Sequence, residues 1–396
     1  MTADSITLIA PYLAPAAVGP RAARSRRIAT ALAAAGHRVH LVAIADPTIS
    51  EPVLATAPGT LVGAMGEPGL SARRRLRATS ARAARRLLPL PDANLRWAAA
   101  VLRDPALAEP PSPRTTIYAI AAPFSALIAG ALLARRWGAP LIGDIGDPWF
   151  AAGPAEARLA AATMRRIDAL VVTNEPTAAA CRAQLRPGAP ILVAPNGADP
   201  LPRSAPPNGE RPLFLQLGTL SHARTDSAAA FRALAALDRE GLIRFRSHGE
   251  AWVRLPPAAS RHHRGVLGEG EARRLMGSAA AVLVVGNRNP IQIPSKVYEV
   301  ARSEAWALCV SQHRREPGVE ILRASGHAVA CTNDEAAIRA GALTILGRER
   351  RGERPRPTDR HSWETTLDRI ERFAAPAPAA ARERRPLDPE PAPAGG

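Results

Sequence analysis

The sequence predicts an α/β protein built from two doubly wound parallel sheets. Short apolar strands alternate with helices in two separate series, and a proline-rich stretch separates the series. The 396 residues suffice for two or three domains. The expected divisions are an N-terminal domain over 1–196, a linker over 197–212, a C-terminal domain over 213–347, a charged connection with a crossing helix over 348–373, and a disordered Pro/Ala-rich tail over 374–396.

The first series opens with an apolar strand, a loop that contains proline and glycine, and a helix that ends at Gly36. Pro123 suits the first turn of a later helix. The strands are predicted at 6–10, 39–43, 115–122, 140–145, 169–173 and 190–194, and the helices at 21–35, 123–137, 155–166 and 176–185.

The second series follows the prolines of the linker and repeats the alternation. Its strands are predicted at 213–217, 243–247, 281–285, 307–311 and 328–332. Its helices are predicted at 227–237, 269–278, 295–304, 319–325, 334–346 and 363–373.

The charged residues single out one position, since the chain contains 51 arginines and one lysine, Lys296. Arginine evidently serves wherever only a positive charge is needed. A compact ammonium differs from arginine's planar fork at a tight phosphate site. Lys296 follows a Pro-Ser turn at a predicted helix start, with Glu299 one turn on, which is typical of an anion site. The pattern indicates a phosphate ligand, and the alternative is that the lysine survives by chance.

The formal net charge of +17 raises nucleic acid and anionic membrane as partners. The chain has no zinc-finger spacing and no RNP-type aromatic motif, so we expect no nucleic-acid partner. Between Arg73 and Arg86 there are seven arginines and no acidic residue. A basic helix there would suit an anionic membrane surface, and a solvated helix face is an equal alternative.

Other features favour a cytoplasmic protein, peripheral at the inner membrane face if the basic segment docks there. Cys181, Cys309 and Cys331 are odd in number and lack metal-type spacing, which indicates reduced thiols. The first residues are typical of a strand and not of a signal peptide. The uncharged stretch 117–134 is divided by Pro123 and is short for a membrane span. No D-x-D motif stands where a sugar site would need one, so we expect no metal ion or other cofactor.

Seven short motifs follow one another along nearly the whole chain. They are the strand, loop, arginine (Arg21 or Arg24) and Gly-His-x-Val of 11–42; Asp144-Ile-Gly-Asp-Pro-Trp149; Pro195-Asn-Gly-Ala-Asp199; Leu217-Gly-Thr-Leu220 with Arg224; Arg264-Gly-Val266; Pro294-Ser-Lys-Val-Tyr-Glu299; and His361-Ser-Trp-Glu364. In this order they resemble the family 4 glycosyltransferases, in the branch with P-S-K-x-x-E. The resemblance implies the GT-B architecture, in which two Rossmann-like domains face each other across a cleft.

The resemblance also implies an activity, transfer of a sugar from a nucleotide-sugar donor to a polysaccharide-precursor or lipid-linked acceptor, with retention at the anomeric carbon. Lys296 and Arg224 would be catalytic, because cations stabilise the charge that grows on the leaving phosphate. The donor would be bound by Glu299 at the ribose, Val266 at the nucleobase, and Ser295, Gly218 and Gly19. The acceptor side would carry Arg21 and Asp147.

Some positions depart from the family pattern and leave alternatives open. Ile291 stands where many members have a second glutamate, and Gly146 replaces an arginine. A non-catalytic GT-B-like partner of another transferase and a nucleotide-sugar 2-epimerase are the alternatives, although no carboxylate constellation marks the epimerase.

Glu299 could instead form an ion pair with Lys296 or Arg302. The adjacent His262 and His263 are expected at the surface.

Overall fold

A computed structural model describes most of the chain. The described residues are 5–11, 13, 20–44, 53–57, 94–149, 151, 153–201, 204, 210–220, 226–251, 260–313 and 315–374. The predictions for Gly19, Arg224, the Arg73–Arg86 segment and all but the first residue of the tail therefore lie outside the described residues.

The N-terminal sheet has seven parallel strands in the order β3-β2-β1-β4-β5-β6-β7. Its strands are β1 (Ser5–Ile9), β2 (Arg38–Ile44), β3 (Val53–Ala57), β4 (Thr115–Ala121), β5 (Leu141–Ile145), β6 (Ala169–Val172) and β7 (Ile191–Val193). The helices beside it are α1 (Pro20–Ala34), α2 (Leu95–Arg103), α3 (Ser125–Trp137), α4 (Pro154–Met164) and α5 (Glu175–Arg182). From β1 the chain first adds β2 and β3 on one side of the sheet and then adds β4 to β7 on the other side. Its direction of winding therefore reverses between β1 and β4.

The C-terminal sheet has five parallel strands in the order β12-β11-β10-β8-β9. Its strands are β8 (Leu213–Leu217), β9 (Arg244–His248), β10 (Ala281–Val285), β11 (Trp306–Ser311) and β12 (Ala328–Thr332). The helices that follow are α6 (Ala228–Arg239), α7 (Glu269–Ser278), α8 (Lys296–Ala301), α9 (Pro317–Ala324), α10 (Glu335–Arg350) and α11 (Trp363–Ala374).

Each sheet is covered on both faces, which confirms the predicted pair of doubly wound α/β domains. In the C-terminal domain one core contains Phe231 of α6 and Ile338 of α10, while the opposite core contains Val300 of α8 and Leu322 of α9. Burial on both faces explains why a central strand such as β10 (Ala281–Val285) is a continuous apolar run and does not alternate.

Two segments connect the domains, and we call residues 195–201 and 358–363 together the crossover. The amide of Ala198 donates to the carbonyl of His361 at 2.9 Å, so the segments run side by side. Helix α11 then packs against α1, with Ile370 and Ala374 in a core of the N-terminal domain. The chain therefore begins and ends its described part on the same domain.

The structure departs from the predicted elements in three places. Strand β3 and helix α2 were not predicted. Helix α8 ends at Ala301, earlier than the predicted 304, because the Ser303 hydroxyl donates to the carbonyl of Val300 and turns the chain.

The stretch 117–134 is divided between β4 and α3, and within the described residues no helix is long and apolar enough to cross a membrane.

Gly197→Ala should lower the unfolding free energy by roughly 1–3 kcal/mol, as overpacking does. A Cβ at Gly197 would lie 2.5 Å from the backbone nitrogen and Cα of Trp363, so the crossover would have to separate. Urea unfolding measures the change. The matched control is Gly270→Ala in α7, where the new methyl meets nothing within 4 Å and should be neutral or stabilising. Equal midpoints for the two variants would contradict this packing.

Candidate active site

The winding of the C-terminal sheet reverses between β8 and β10, and this topology predicts a crevice there. Strands β8 and β10 are neighbours in the sheet, although β9 lies between them in sequence. Parallel α/β sheets bind ligands beyond the carboxyl ends of strands at such a point. Gly218 follows β8 there, and Gly286 follows β10.

Two backbone segments approach closely at this edge, because a Cβ on Gly249 would lie 2.2 Å from the carbonyl oxygen of Gly218. Gly218 (φ 119°), Gly249 (φ 141°) and Gly265 (φ 73°) all have positive φ, which disfavours side chains. The amide of Gly218 donates to the carbonyl of His248 at 2.9 Å, and that of Gly249 to Gly265 at 2.8 Å. These bonds bring Gly218 to the same edge as Val266, whose side chain is 58% exposed and offers an apolar surface.

Lys296 and Glu299 form an ion pair on the exposed side of α8. The Lys296 ammonium lies 2.7 Å from both carboxylate oxygens of Glu299, and both side chains are partly exposed. Glu299 thus forms the ion pair that was the alternative to ribose binding, and its partner is Lys296. Arg302 instead donates to Asp359 at 2.9 Å. Ser295 directly precedes the helix, and its side chain caps none of the helix amides.

The structure brings together the two residues predicted for the acceptor side. The Arg21 guanidinium, in the first turn of α1, lies 3.4 Å from the carboxylate of Asp147, which follows β5. Their side chains are 39% and 34% exposed, so both are open to solvent.

A buried ion pair lies one turn further along α1. Arg24 Nε donates to the two oxygens of Asp144 at 3.0 and 3.2 Å, and the Tyr118 hydroxyl donates to Asp144 at 2.8 Å. Burial lowers the pKa of Arg24, but the charge of Asp144, the hydrogen bond to Asp144 and the nearby Tyr118 and Tyr298 together outweigh burial, so the pKa is raised. Burial, together with the Asp144 charge, raises the pKa of Tyr118. The sequence left Arg21 and Arg24 as equal candidates, and the structure gives them different environments.

The structure also bears on the predicted exposure of the two adjacent histidines and on the potential metal ligands. His262 and His263 are half-buried rather than on the surface: His262 pairs with Asp238 at 3.2 Å, and His263 shares a hydrogen bond with Ser247 at 2.9 Å. The sequence does not predict these bonds, because their partners lie on other elements, Asp238 on helix α6 and Ser247 on strand β9. No group of three potential metal ligands occurs among the residues that the structure describes.

Arg224 and Gly19 are not among the described residues. Convergence of Arg224 with Lys296 on one phosphate therefore stays a prediction.

Residues 21–197 match the family model for the glycosyl transferase 4-like domain. No curated protein matches the sequence of the chain. Sucrose-phosphate synthase from Thermosynechococcus elongatus superposes with a TM-score of 0.55 at 15% identity, covering 93% of this chain and 98% of that one. A putative UDP-N-acetylglucosamine 2-epimerase from Listeria monocytogenes gives a TM-score of 0.52 at 11% identity, with 93% and 95% covered. The chain has the GT-B fold. At these identities the GT-B neighbours show architecture and not activity.

Asp144→Ala should lower the unfolding free energy by roughly 3–5 kcal/mol, because it leaves the Arg24 guanidinium buried without its counter-charge. The control is Asp368→Ala, which breaks an exposed pair with Arg372 and should cost less than about 1 kcal/mol. Denaturant midpoints of the two variants measure the difference. Similar small losses for both would mean that the buried pair is not required.

Proposed function

We propose that the protein is a glycosyltransferase that moves a sugar from a nucleotide-sugar donor to a polysaccharide-precursor or lipid-linked acceptor, with retention. The observation that carries the proposal is the match of residues 21–197 to a glycosyl transferase 4-like domain. The crevice of the C-terminal domain and the lone lysine beside it support a donor site there.

The chemistry breaks the bond between the anomeric carbon and a diphosphate oxygen, and the acceptor oxygen forms the new bond. Negative charge grows on the leaving diphosphate, so a fixed cation stabilises the transition state more than the ground state. The Lys296 ammonium is proposed for this role together with Arg224, without a metal ion. Ser295, Gly218 and the Gly19 loop are proposed to line the phosphates.

The ion pair of Lys296 with Glu299 suggests how donor binding begins. A diphosphate competes with one carboxylate for the ammonium, because it carries more charge. Glu299 is then free to accept hydrogen bonds from ribose hydroxyls, while Val266 packs against the base. On the other domain, Arg21 and Asp147 are proposed to orient the acceptor.

Two alternatives make different predictions about the products. A 2-epimerase would return the nucleotide sugar inverted at C2 and would need no acceptor. A non-catalytic partner would bind nucleotide without turnover.

The test is a panel of UDP-, GDP- and TDP-sugars, screened by thermal shift and then by chromatography of the products. Release of nucleoside diphosphate with the sugar transferred to an acceptor or to water supports the proposal. An epimerised nucleotide sugar, or binding without any turnover, supports the respective alternative and contradicts transfer.

Lys296→Arg should lower the turnover rate by roughly tenfold or more, although arginine supplies charge elsewhere in the chain. The planar guanidinium retains the charge but cannot reach the same point as the ammonium. Steady-state kinetics with the best donor measures the change. The control is Arg323→Lys in α9, an exposed pair with Glu320 that should leave turnover unchanged. Near wild-type turnover in Lys296→Arg would show that the lone lysine is incidental.

Replacing the seven arginines between Arg73 and Arg86 with glutamine should weaken binding to vesicles of anionic lipid. Each basic residue near such a surface contributes about 1 kcal/mol, and salt screens the attraction over roughly 8 Å. Flotation at low and physiological salt measures binding, and nucleotide-sugar binding should persist.

A charge-matched control removes seven exposed arginines of the other half of the chain. They are Arg239, Arg261, Arg274, Arg323, Arg350, Arg356 and Arg360. Equal vesicle binding by both variants would remove the membrane contact from the proposal and leave glycosyl transfer in place.

A further inference from the structure

A recess opens between the loop after β10 and the first turn of α9. It is lined by Gly286, Asn287, Gln292 and Pro294 on one side and by Glu316 and Pro317 on the other. The loop precedes Lys296 directly, so the recess adjoins the candidate donor site.

The carboxylate of Glu316 is buried but only half satisfied. Its side chain is 6% exposed, and its Oε1 accepts hydrogen bonds from the amides of Gln312 and His313, the latter at 2.8 Å. Oε2 accepts no hydrogen bond from the residues that the structure describes, and it lies against the backbone of Gly286, where a Cβ would collide with it. Glu316 also stands at the amino end of α9, whose dipole favours a negative charge.

Bonds among the surrounding residues hold the recess in shape. His313 Nε2 lies 2.7 Å from the carbonyl of Arg288, which ties the loop to the turn before α9. Asn287 donates to the carbonyl of Gln292 at 3.0 Å, so the backbone of Gln292, a residue that lines the recess, is fixed. A fixed carboxylate oxygen and a carboxamide among prolines suit a polyhydroxylated ligand, because hydroxyl groups can donate to both.

We propose that Glu316 is a specificity-determining residue that accepts a hydrogen bond, through Oε2, from a hydroxyl of the donor's sugar. This inference rests on the proposed glycosyl transfer. Gln292 supplies a second polar contact in the same recess, and the nucleotide part binds elsewhere, along Gly218, Val266 and Glu299.

The test is Glu316→Gln, which retains an oxygen for the two amides of the turn and replaces only the Oε2 acceptor with a donor. Calorimetry should show roughly 10- to 100-fold weaker binding of the nucleotide sugar that the wild-type protein binds best, as expected for loss of a charge-assisted hydrogen bond. Binding of the corresponding nucleoside diphosphate, and the melting temperature, should stay close to wild type. The matched control is Glu320→Gln, one turn further along α9, which should change neither affinity.

Gln292→Ala, which leaves the loop's backbone bonds in place, gives a second measurement and should also weaken the nucleotide sugar selectively. Equal affinity for the nucleotide sugar in wild type and Glu316→Gln would overturn the inference and leave glycosyl transfer intact. Equal losses for nucleotide sugar and nucleoside diphosphate would overturn it too, because the sugar would not be what Glu316 contacts. If the wild-type protein binds no nucleotide sugar in the panel, the proposed function fails and the inference with it.

Discussion

The buried Arg24–Asp144 ion pair is the constraint on which the arrangement of the two domains depends. Two charges removed from water stabilise a protein only if each keeps its partners, and an incomplete set is costly. Arg24 also donates to the Asn196 side chain at 3.3 Å, in the outgoing segment of the crossover. The pair therefore fixes the end of β5, the start of α1 and the point where the chain leaves the N-terminal domain.

Helix α8, which carries the candidate catalytic lysine, lies near the Arg24–Asp144 pair. Burial raises the pKa of Tyr298, and the nearby Arg24 charge opposes that increase, so α8 lies close to the buried pair. The Tyr298 ring packs edge-on against His361 in the returning segment, with centroids 5.4 Å apart. Since Lys296 and Glu299 are three residues apart, they share one face of α8. The buried side of α8 thus holds the exposed ion pair in place.

The sequence predicted the α/β series well because the central strands, such as β10 (Ala281–Val285), are short apolar runs that alternate with helices. It did not predict β3, since Val53–Ala57 is short and two of its five residues are alanine, which is depleted in strands. It left open which of Arg21 and Arg24 is the arginine of the first motif, because residues three apart share a helix face. Only the position of Asp144 distinguishes them. Glu316 follows Arg314 and Arg315 and is typical of an exposed turn. Its burial arises from the approach of Gly286, a contact that local sequence does not encode.

The most direct test of the donor site is a crystal structure of the protein with the nucleotide sugar or nucleoside diphosphate that it binds best. The account predicts that the Lys296 ammonium leaves Glu299 and contacts a phosphate oxygen, that Glu299 turns to the ribose, and that the base lies against Val266. A ligand bound away from this crevice, with the Lys296–Glu299 pair intact, would contradict the account.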